Sequence, residues 1–354
     1  MSTINRKFTL RIQAKIDKLI FNELKAKYDL HSLYRNSSET SRDFNEEQLR
    51  IYLGTYWPRS FVETFEIFTG LIVSQQIKKV LQEKDTLNIL DIGSGTGGNL
   101  VGFLYFLSEN FFLKNKEIWI ISIDSNKKAL ELQSKILGNF LLDFMENTLS
   151  QKAAISVLGE FELDYFTKPT ESTQSQKSTV HSKNIERLFE AHIRLFCIGD
   201  TETNGVETLS TIDTELTRQR MKYDVVMCSK FISEFYKGKG TSNYQRNKGM
   251  YRGLTEMVSG FLKEKGIFVL LDVADFVGNF FDADKKIRES KLLPHFMNHE
   301  LKQYLDDEQA SLKCIVPLSC ALWSSQCQDL KKCFTKRSRS QGMRAQRSDM
   351  FDYS

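Results

Sequence analysis

At 354 residues the chain is long enough for two domains, or for one large domain with extensions. Hydrophobic residues at 41% and charged residues at 27% exclude a wholly disordered chain, and 4 prolines exclude a Pro-rich or collagen-like one. The 49 basic and 45 acidic residues leave +4, too small an excess to imply a polyanionic partner by itself.

No apolar run reaches the ~18 residues of a membrane span, so a soluble protein is expected. The N-terminal MSTINRKFTLRIQAKIDKLIF lacks the uninterrupted apolar core of a secretion signal. It is basic, with no acid before Asp17. It therefore reads as an amphipathic first helix of a cytoplasmic protein, with a mitochondrial presequence as the alternative. Ile12, Ile16, Ile20 and Leu24 recur at helical spacing. Arg50 to Val80 continues as apolar helix, with an interruption expected at Tyr56-Trp57-Pro58-Arg59. Residues 1–80 are thus assigned as a helical N-terminal region.

The texture then changes to short apolar strands alternating with helices. The runs Leu87–Ile92, Glu117–Asp124, Ile193–Asp200, Tyr223–Lys230 and Gly266–Val273 read as five buried strands. Helices are expected from Asn99 to Leu107, from Asn126 to about Gly138 and from about Arg246 to Lys265. This alternation is an α/β fold: a doubly wound, mostly parallel, Rossmann-like sheet covered on both faces. It is assigned to residues 81–280. A polar stretch centred on 167–179, within about 165–182, reads as an inserted mobile loop. Residues 281–354 form a C-terminal segment with a cysteine cluster and a basic tail.

The run Asp91-Ile-Gly93-Ser94-Gly95-Thr96-Gly97-Gly98 ends the first strand and opens a helix. Glycines serve where backbone must turn tightly and approach a ligand, and the free N–H groups of the helix face the same crevice. Gly93, Gly95 and Gly98 formally satisfy a dinucleotide fingerprint. Asp91, however, would face a pyrophosphate unfavourably and suits a cationic amino-acid group. A loop that binds nothing is the third reading. After the fourth strand comes Cys228-Ser229-Lys-Phe-Ile-Ser-Glu234-Phe. Glu234 is the candidate catalytic group, orienting a substrate or acting as base; the plainer readings are a helix cap or a surface ion pair. Neither an Asn-Pro-Pro-Tyr-like motif nor a Pro-Cys nucleophile stands there, which argues against the usual exocyclic amino-group and pyrimidine-carbon chemistries.

Four of the 6 cysteines, Cys314, Cys320, Cys327 and Cys333, crowd into one segment. Converging thiolates would make a tetrahedral zinc site or a 4Fe-4S cluster. The spacing is that of neither zinc-ribbon knuckles nor a ferredoxin run, and buried unliganded thiols are the alternative. His295 and His299 either complete such a site or stand exposed. Lys331, Lys332, Lys336, Arg337, Arg339, Arg344 and Arg347 follow with no acid from 330 to 348. Such a stretch suits a phosphate backbone, or else forms a solvated tail.

The glycine run resembles motif I of class I S-adenosylmethionine-dependent methyltransferases. That resemblance implies a donor site formed by Asp91, Gly93, Ser94, Gly95, Thr96 and Gly97, with Asp124 and Ser125 at the ribose, Asp200 beside the adenine, and Ser229. More narrowly, several stretches resemble the methyltransferase-like assembly factors of the mitochondrial small ribosomal subunit and their bacterial relatives. These are Tyr52–Phe61, Leu90–Gly97, Asp224–Phe235, Gly266–Asp272 and the segment from Cys314 to Arg337. The family's Cys-Pro-His segment is absent, with Val316-Pro-Leu-Ser-Cys320 in its place. The resemblance implies S-adenosylmethionine binding, a four-cysteine iron–sulfur or zinc site, and small-subunit ribosomal RNA as partner. A small-molecule or protein methyltransferase with 1–80 as lid, and a non-catalytic RNA-binding assembly module, are the alternatives.

Overall fold

The structure is a computed structural model. It describes residues 17–29, 44–72, 75–110, 112, 116–148, 162–166, 189–198, 205–236, 247–272, 276–281, 287–292, 297, 300, 301, 303, 304 and 306. By packing the chain falls into two units, Met1–Met297 and Asn298–Ser354, and the helices and strands from Lys18 to Leu292 belong to the first.

A π-helical turn at Lys18–Glu23 buries Leu19 and Ile20. Helix α1 follows at Glu46–Leu71, started by a capping box in which Asn45 and Gln48 satisfy each other's backbone N–H. It runs unbroken through Pro58, where an interruption was expected. Proline costs an interior helix about 3 kcal/mol. Tertiary packing overrides that penalty here: Trp57 is buried and stacks on Phe61 with ring centroids 5.4 Å apart. Phe68 likewise meets Phe103 at 4.2 Å. Helix α2 spans Gln75–Glu83.

The Rossmann-like core then alternates as expected: β1 (Thr86–Ile92), α3 (Gly98–Glu109), β2 (Lys116–Asp124) and α4 (Lys127–Thr148). It continues with β3 (Glu162–Phe166), β4 (Phe189–Ile198), α5 (Gly205–Gln219), β5 (Tyr223–Ser229) and the short α6 (Ile232–Tyr236). Last come α7 (Met250–Phe261), β6 (Leu262–Leu271), and an antiparallel pair, β7 (Phe276–Phe281) with β8 (Ile287–Leu292). The main sheet has six strands in the order β3-β4-β2-β1-β5-β6. All its pairings are parallel.

Three details depart from the sequence reading. An additional strand, β3, lies on the outer side of β4 and takes in residues 165 and 166 at the edge of the expected insertion. The third expected strand begins at Phe189, ahead of Ile193, and is described as far as Ile198. Helix α7 ends at Phe261, and Leu262 already pairs with Tyr223 in the sheet. The run Lys263-Glu-Lys has good helical propensity, but sheet pairing prevails, and a register shift absorbs Lys263–Gly266.

Alternation along the strands sends Ile89, Ile118, Ile120, Ile193 and Val225 to one face, into a cluster with α3 and Trp57 and Phe68 of α1. Every residue of α3 from Gly98 to Ser108 is buried. At Gly102 a Cβ would collide with the Phe61 carbonyl oxygen, so α1 and α3 meet backbone to backbone. Because the strands are parallel, Ile92, Asp124 and Ser229 end at one edge of the sheet. The chain leaves β1 toward β2 and returns to β5 on the opposite side, which makes the β1/β5 boundary the switch point where doubly wound sheets bind ligands.

Candidate active site

An open cleft of about 890 Å3, solvent included, lies at that edge. Its first wall is the loop after β1. Gly93 and Ser94 donate backbone N–H bonds to the Ile123 carbonyl at 2.8 and 3.1 Å, and Gly97 donates to the Ser94 carbonyl at 2.9 Å. Gly93, Gly95 and Gly97 have φ of 69°, 53° and 81°, the left-handed region that glycine alone enters freely. Space demands glycine as well. A Cβ at Gly93 would lie 2.8 Å from the Phe231 Cβ, and one at Gly97 would lie 2.5 Å from Gln133 Cγ. Gly97 caps α3, whose N-terminal backbone N–H groups have no partner within the helix.

The Ser94 hydroxyl of the loop is committed inward. Ser94 donates its hydroxyl to Gln133 Oε1 at 2.9 Å, and Gln133, fully buried, donates through Nε2 to the Ser122 hydroxyl at 2.8 Å. The Thr96 carbonyl accepts from Trp57 Nε1 at 3.1 Å. What the loop presents to the cleft is therefore chiefly backbone, as a phosphate- or amino-acid-binding turn requires.

Asp124, at the end of β2, faces the loop. Its Oδ2 accepts the Gly95 N–H and its Oδ1 the Asn126 N–H, both at 2.8 Å. The Ser125 N–H bonds the carboxylate as well, so three backbone donors hold it in place. Burial raises its pKa; the Asn126 and Gly95 N–H groups oppose that rise, and the Glu234 charge adds to it. Asp91 is different. It is fully buried and neither carboxylate oxygen has a hydrogen-bond partner among the described residues, and burial, then the Asp124 charge, pushes its pKa well up. An unsatisfied buried carboxylate is costly and rare.

Across the cleft, β5 ends in Ser229, whose buried hydroxyl also has no partner among the described residues. Lys230, Phe231, Glu234 and Phe235 continue this wall. Asp272 Oδ2 accepts the Ser233 N–H at 3.1 Å and the Tyr251 hydroxyl at 3.0 Å, so Asp272, rather than Glu234, caps the start of α6. Glu234 lines the cleft. Helix α1 supplies Leu49, Tyr52, Trp57 and Ser60. Burial, then the charges of Glu234 and Asp124, drives the Tyr52 phenol further up, so it stays neutral.

Of the expected site residues, Gly93, Ser94, Gly95, Thr96, Asp124, Ser125, Ser229 and Glu234 line one cleft. Asp91 and Gly97 are not among its lining residues. Asp200 and the cysteines Cys314, Cys320, Cys327 and Cys333 lie outside the described residues, as do His295 and His299. Among the described residues, no group of three or more His, Cys, Asp or Glu side chains could hold a metal ion, and no helix is long and apolar enough to cross a membrane. Sequence reasoning did not single out Tyr52, Ser60, Asn126, Gln133 or Lys230. Tyr52 and Trp57 sit in an aromatic run whose composition is a visible signal, whereas the others carry none.

No protein-family model matches the chain, and none of the curated proteins is similar to it in sequence. Among solved structures the following are similar to it. MnmC2 from Aquifex aeolicus is 15% identical with a TM-score of 0.26, over 55% of this chain and 46% of that one. A SAM-dependent methyltransferase from Agrobacterium tumefaciens is 14% identical with a TM-score of 0.29, over 61% and 46%. The plantazolicin methyltransferase BpumL, in complex with a pentazolic desmethylPZN analog and SAH, is 13% identical with a TM-score of 0.31, over 74% and 62%. The chain thus spans about half the length of the first two. At such identity and superposition the likeness assigns no role to any residue, and roles rest on the cleft's own groups.

Proposed function

We propose that the protein is an S-adenosylmethionine-dependent methyltransferase that acts on RNA. The observation that carries the donor assignment is Asp91. It is a buried carboxylate with both oxygens unpartnered among the described residues, set just ahead of a glycine turn at the switch point of the sheet. A dinucleotide pyrophosphate would bring negative charge toward it, whereas an amino-acid ammonium would supply the missing partner. When bound, S-adenosylmethionine supplies a methyl group on a positively charged sulfur.

The residues divide the remaining work by position. The turn from Gly93 to Thr96 would receive the methionine portion against its backbone. Asp124, already accepting from the Gly95, Asn126 and Ser125 N–H groups, would take a ribose hydroxyl on its remaining lone pair. Ser229 and Glu234 line the wall across from the glycine turn. Glu234 would orient the acceptor or take its proton, and Ser229 would complete the donor site. Holding the reactants in line accounts for most of the barrier reduction in such a transfer.

RNA as acceptor, and small-subunit ribosomal RNA in particular, is supported by the acid-free basic stretch of 330–348 and by the sequence resemblance. A zinc or iron–sulfur site at Cys314, Cys320, Cys327 and Cys333 belongs to the same reading.

The deciding experiment is calorimetric titration with S-adenosylhomocysteine of the wild type and of Gly95→Asp. At Gly95 the nearest group to an added Cβ is the Tyr52 hydroxyl at 3.7 Å, so the side chain fits but the φ of 53° is strained. Loss of binding with a retained circular dichroism spectrum is expected; undiminished binding overturns the loop assignment. Gel retardation of ribosomal RNA fragments, with and without residues 314–348, tests the acceptor. Metal analysis with an absorption spectrum of anaerobically purified protein tests the cysteine site.

A further inference from the structure

Lys230 lines the cleft beside Ser229, and its surroundings are unusual. Its φ is 58°, a backbone state costly for any residue with a Cβ. Its N–H donates to the Leu271 carbonyl at 2.7 Å, and its own carbonyl accepts the Ser233 hydroxyl at 3.0 Å. The side chain reaches back to α1, where its ammonium lies 2.5 Å from Glu63 Oε2 and 3.2 Å from the Ser60 hydroxyl. Glu63, 4% exposed at its side chain, also accepts from Arg59 Nε at 2.5 Å. Burial draws the Lys230 pKa down, and the Glu63 charge opposes that shift.

The same face of α1 holds the donor loop. Trp57 bonds the Thr96 carbonyl, and the Thr64 hydroxyl lies 3.2 Å from Asn99 Oδ1 in the first turn of α3. A Cβ at Gly98 would stand 2.8 Å from the Trp57 carbonyl oxygen. Within two turns of helix, α1 therefore grips the glycine loop through Trp57 and the acceptor-side turn through Ser60 and Glu63.

We propose that α1 is a strut joining the two halves of the cleft, and that Lys230 is the positioning residue at its acceptor end, holding Ser229 and Glu234 in register with the donor loop. This rests on the methyltransferase reading for its purpose, although the mechanical link stands apart from it. A lid would swing away from the cleft; α1, pressed backbone to backbone on α3, is a fixed wall.

Two measurements on the full chain test this. The first is hydrogen exchange of the Ser229–Glu234 amides in the wild type and in Lys230→Met, which keeps the stem and removes the charge. Faster exchange of that turn by roughly tenfold or more, with the β1 and β2 amides unchanged, is expected. Unchanged exchange overturns the proposal. Should Lys230→Met fail to fold, Glu63→Gln and Lys230→Arg take its place, the former expected to loosen the turn and the latter to keep it closed.

The second is a cycle of Lys230→Met, Trp57→Phe and the double variant in affinity for S-adenosylhomocysteine. Coupling of roughly tenfold is expected, as found between residues of one network, and simple additivity overturns the strut. If the wild type binds no S-adenosylhomocysteine, the methyltransferase reading fails, and the exchange measurement alone then decides the proposal.

Discussion

Asp91 shows how one side chain can serve binding at the expense of the empty fold. Its pKa is raised in the folded chain by burial and by Asp124. The folded protein therefore keeps a proton that the unfolded chain has released. Stability from this group is full below the unfolded value and is lost as pH rises through the folded one. Asp91→Asn should accordingly stabilise the ligand-free protein at neutral pH, since an equally unpartnered amide carries no ionisable group to hold protonated in the fold. Thermal melts from about pH 4 to about pH 8 should show a flatter decline than the wild type. The same variant should bind S-adenosylhomocysteine more weakly by calorimetry, since an amide offers an ammonium no charge. An Asp91→Asn protein that is both less stable and equally tight would refute this account. Asp91, Asp124, Ser229 and Glu234 could be picked out from the sequence because each lies at or just beyond the end of an apolar strand. Gln133 and Lys230 could not, since only the folded chain brings Gln133 under Ser94 and Lys230 to Glu63.

Elements were legible where periodicity was strong and misread where two signals competed. Strands β1, β2 and β5 stand out as apolar runs buried on both faces. Strand β3, the short Glu162-Leu-Asp-Tyr-Phe166, carries too little contrast beside a polar stretch to be read as one. Pro58 argued for a break in α1, but a local rule yields where the flanking aromatics are buried. The α1–α3 contact gives a direct check at this scale. Gly102→Ala would drive a methyl into the Phe61 carbonyl oxygen, and overpacking of this kind costs about 1–3 kcal/mol. Gly70→Ala on α1 meets nothing within 4 Å and should instead stabilise by about 0.5–1 kcal/mol. Urea unfolding of both variants measures the pair. Equal effects would mean that the two helices are not in intimate contact.

Across the molecule, the sheet is pinned at the edge opposite the cleft by one buried carboxylate. Asp224, fully buried at the start of β5, pairs with Lys84 ahead of β1 and, at 2.7 Å, with Lys263 in β6. It also accepts the Asn88 N–H at 2.8 Å, so a single side chain ties β5 to both of its neighbours. Asp224→Ala should destabilise the fold by about 3–5 kcal/mol, as removal of one partner from a buried pair does. Chemical denaturation checks this, and a loss confined to about 1 kcal/mol would mean that water already reaches the group.

The burial of α3 on every side has its own bearing on how new specificity could arise in this scaffold. A helix with no wet surface tolerates few replacements and cannot slide to accept a different guest. Altered selectivity would have to be written into the short stretch beyond β5 and the facing residues of α1, while the glycine turn anchored on α3 stays as it is.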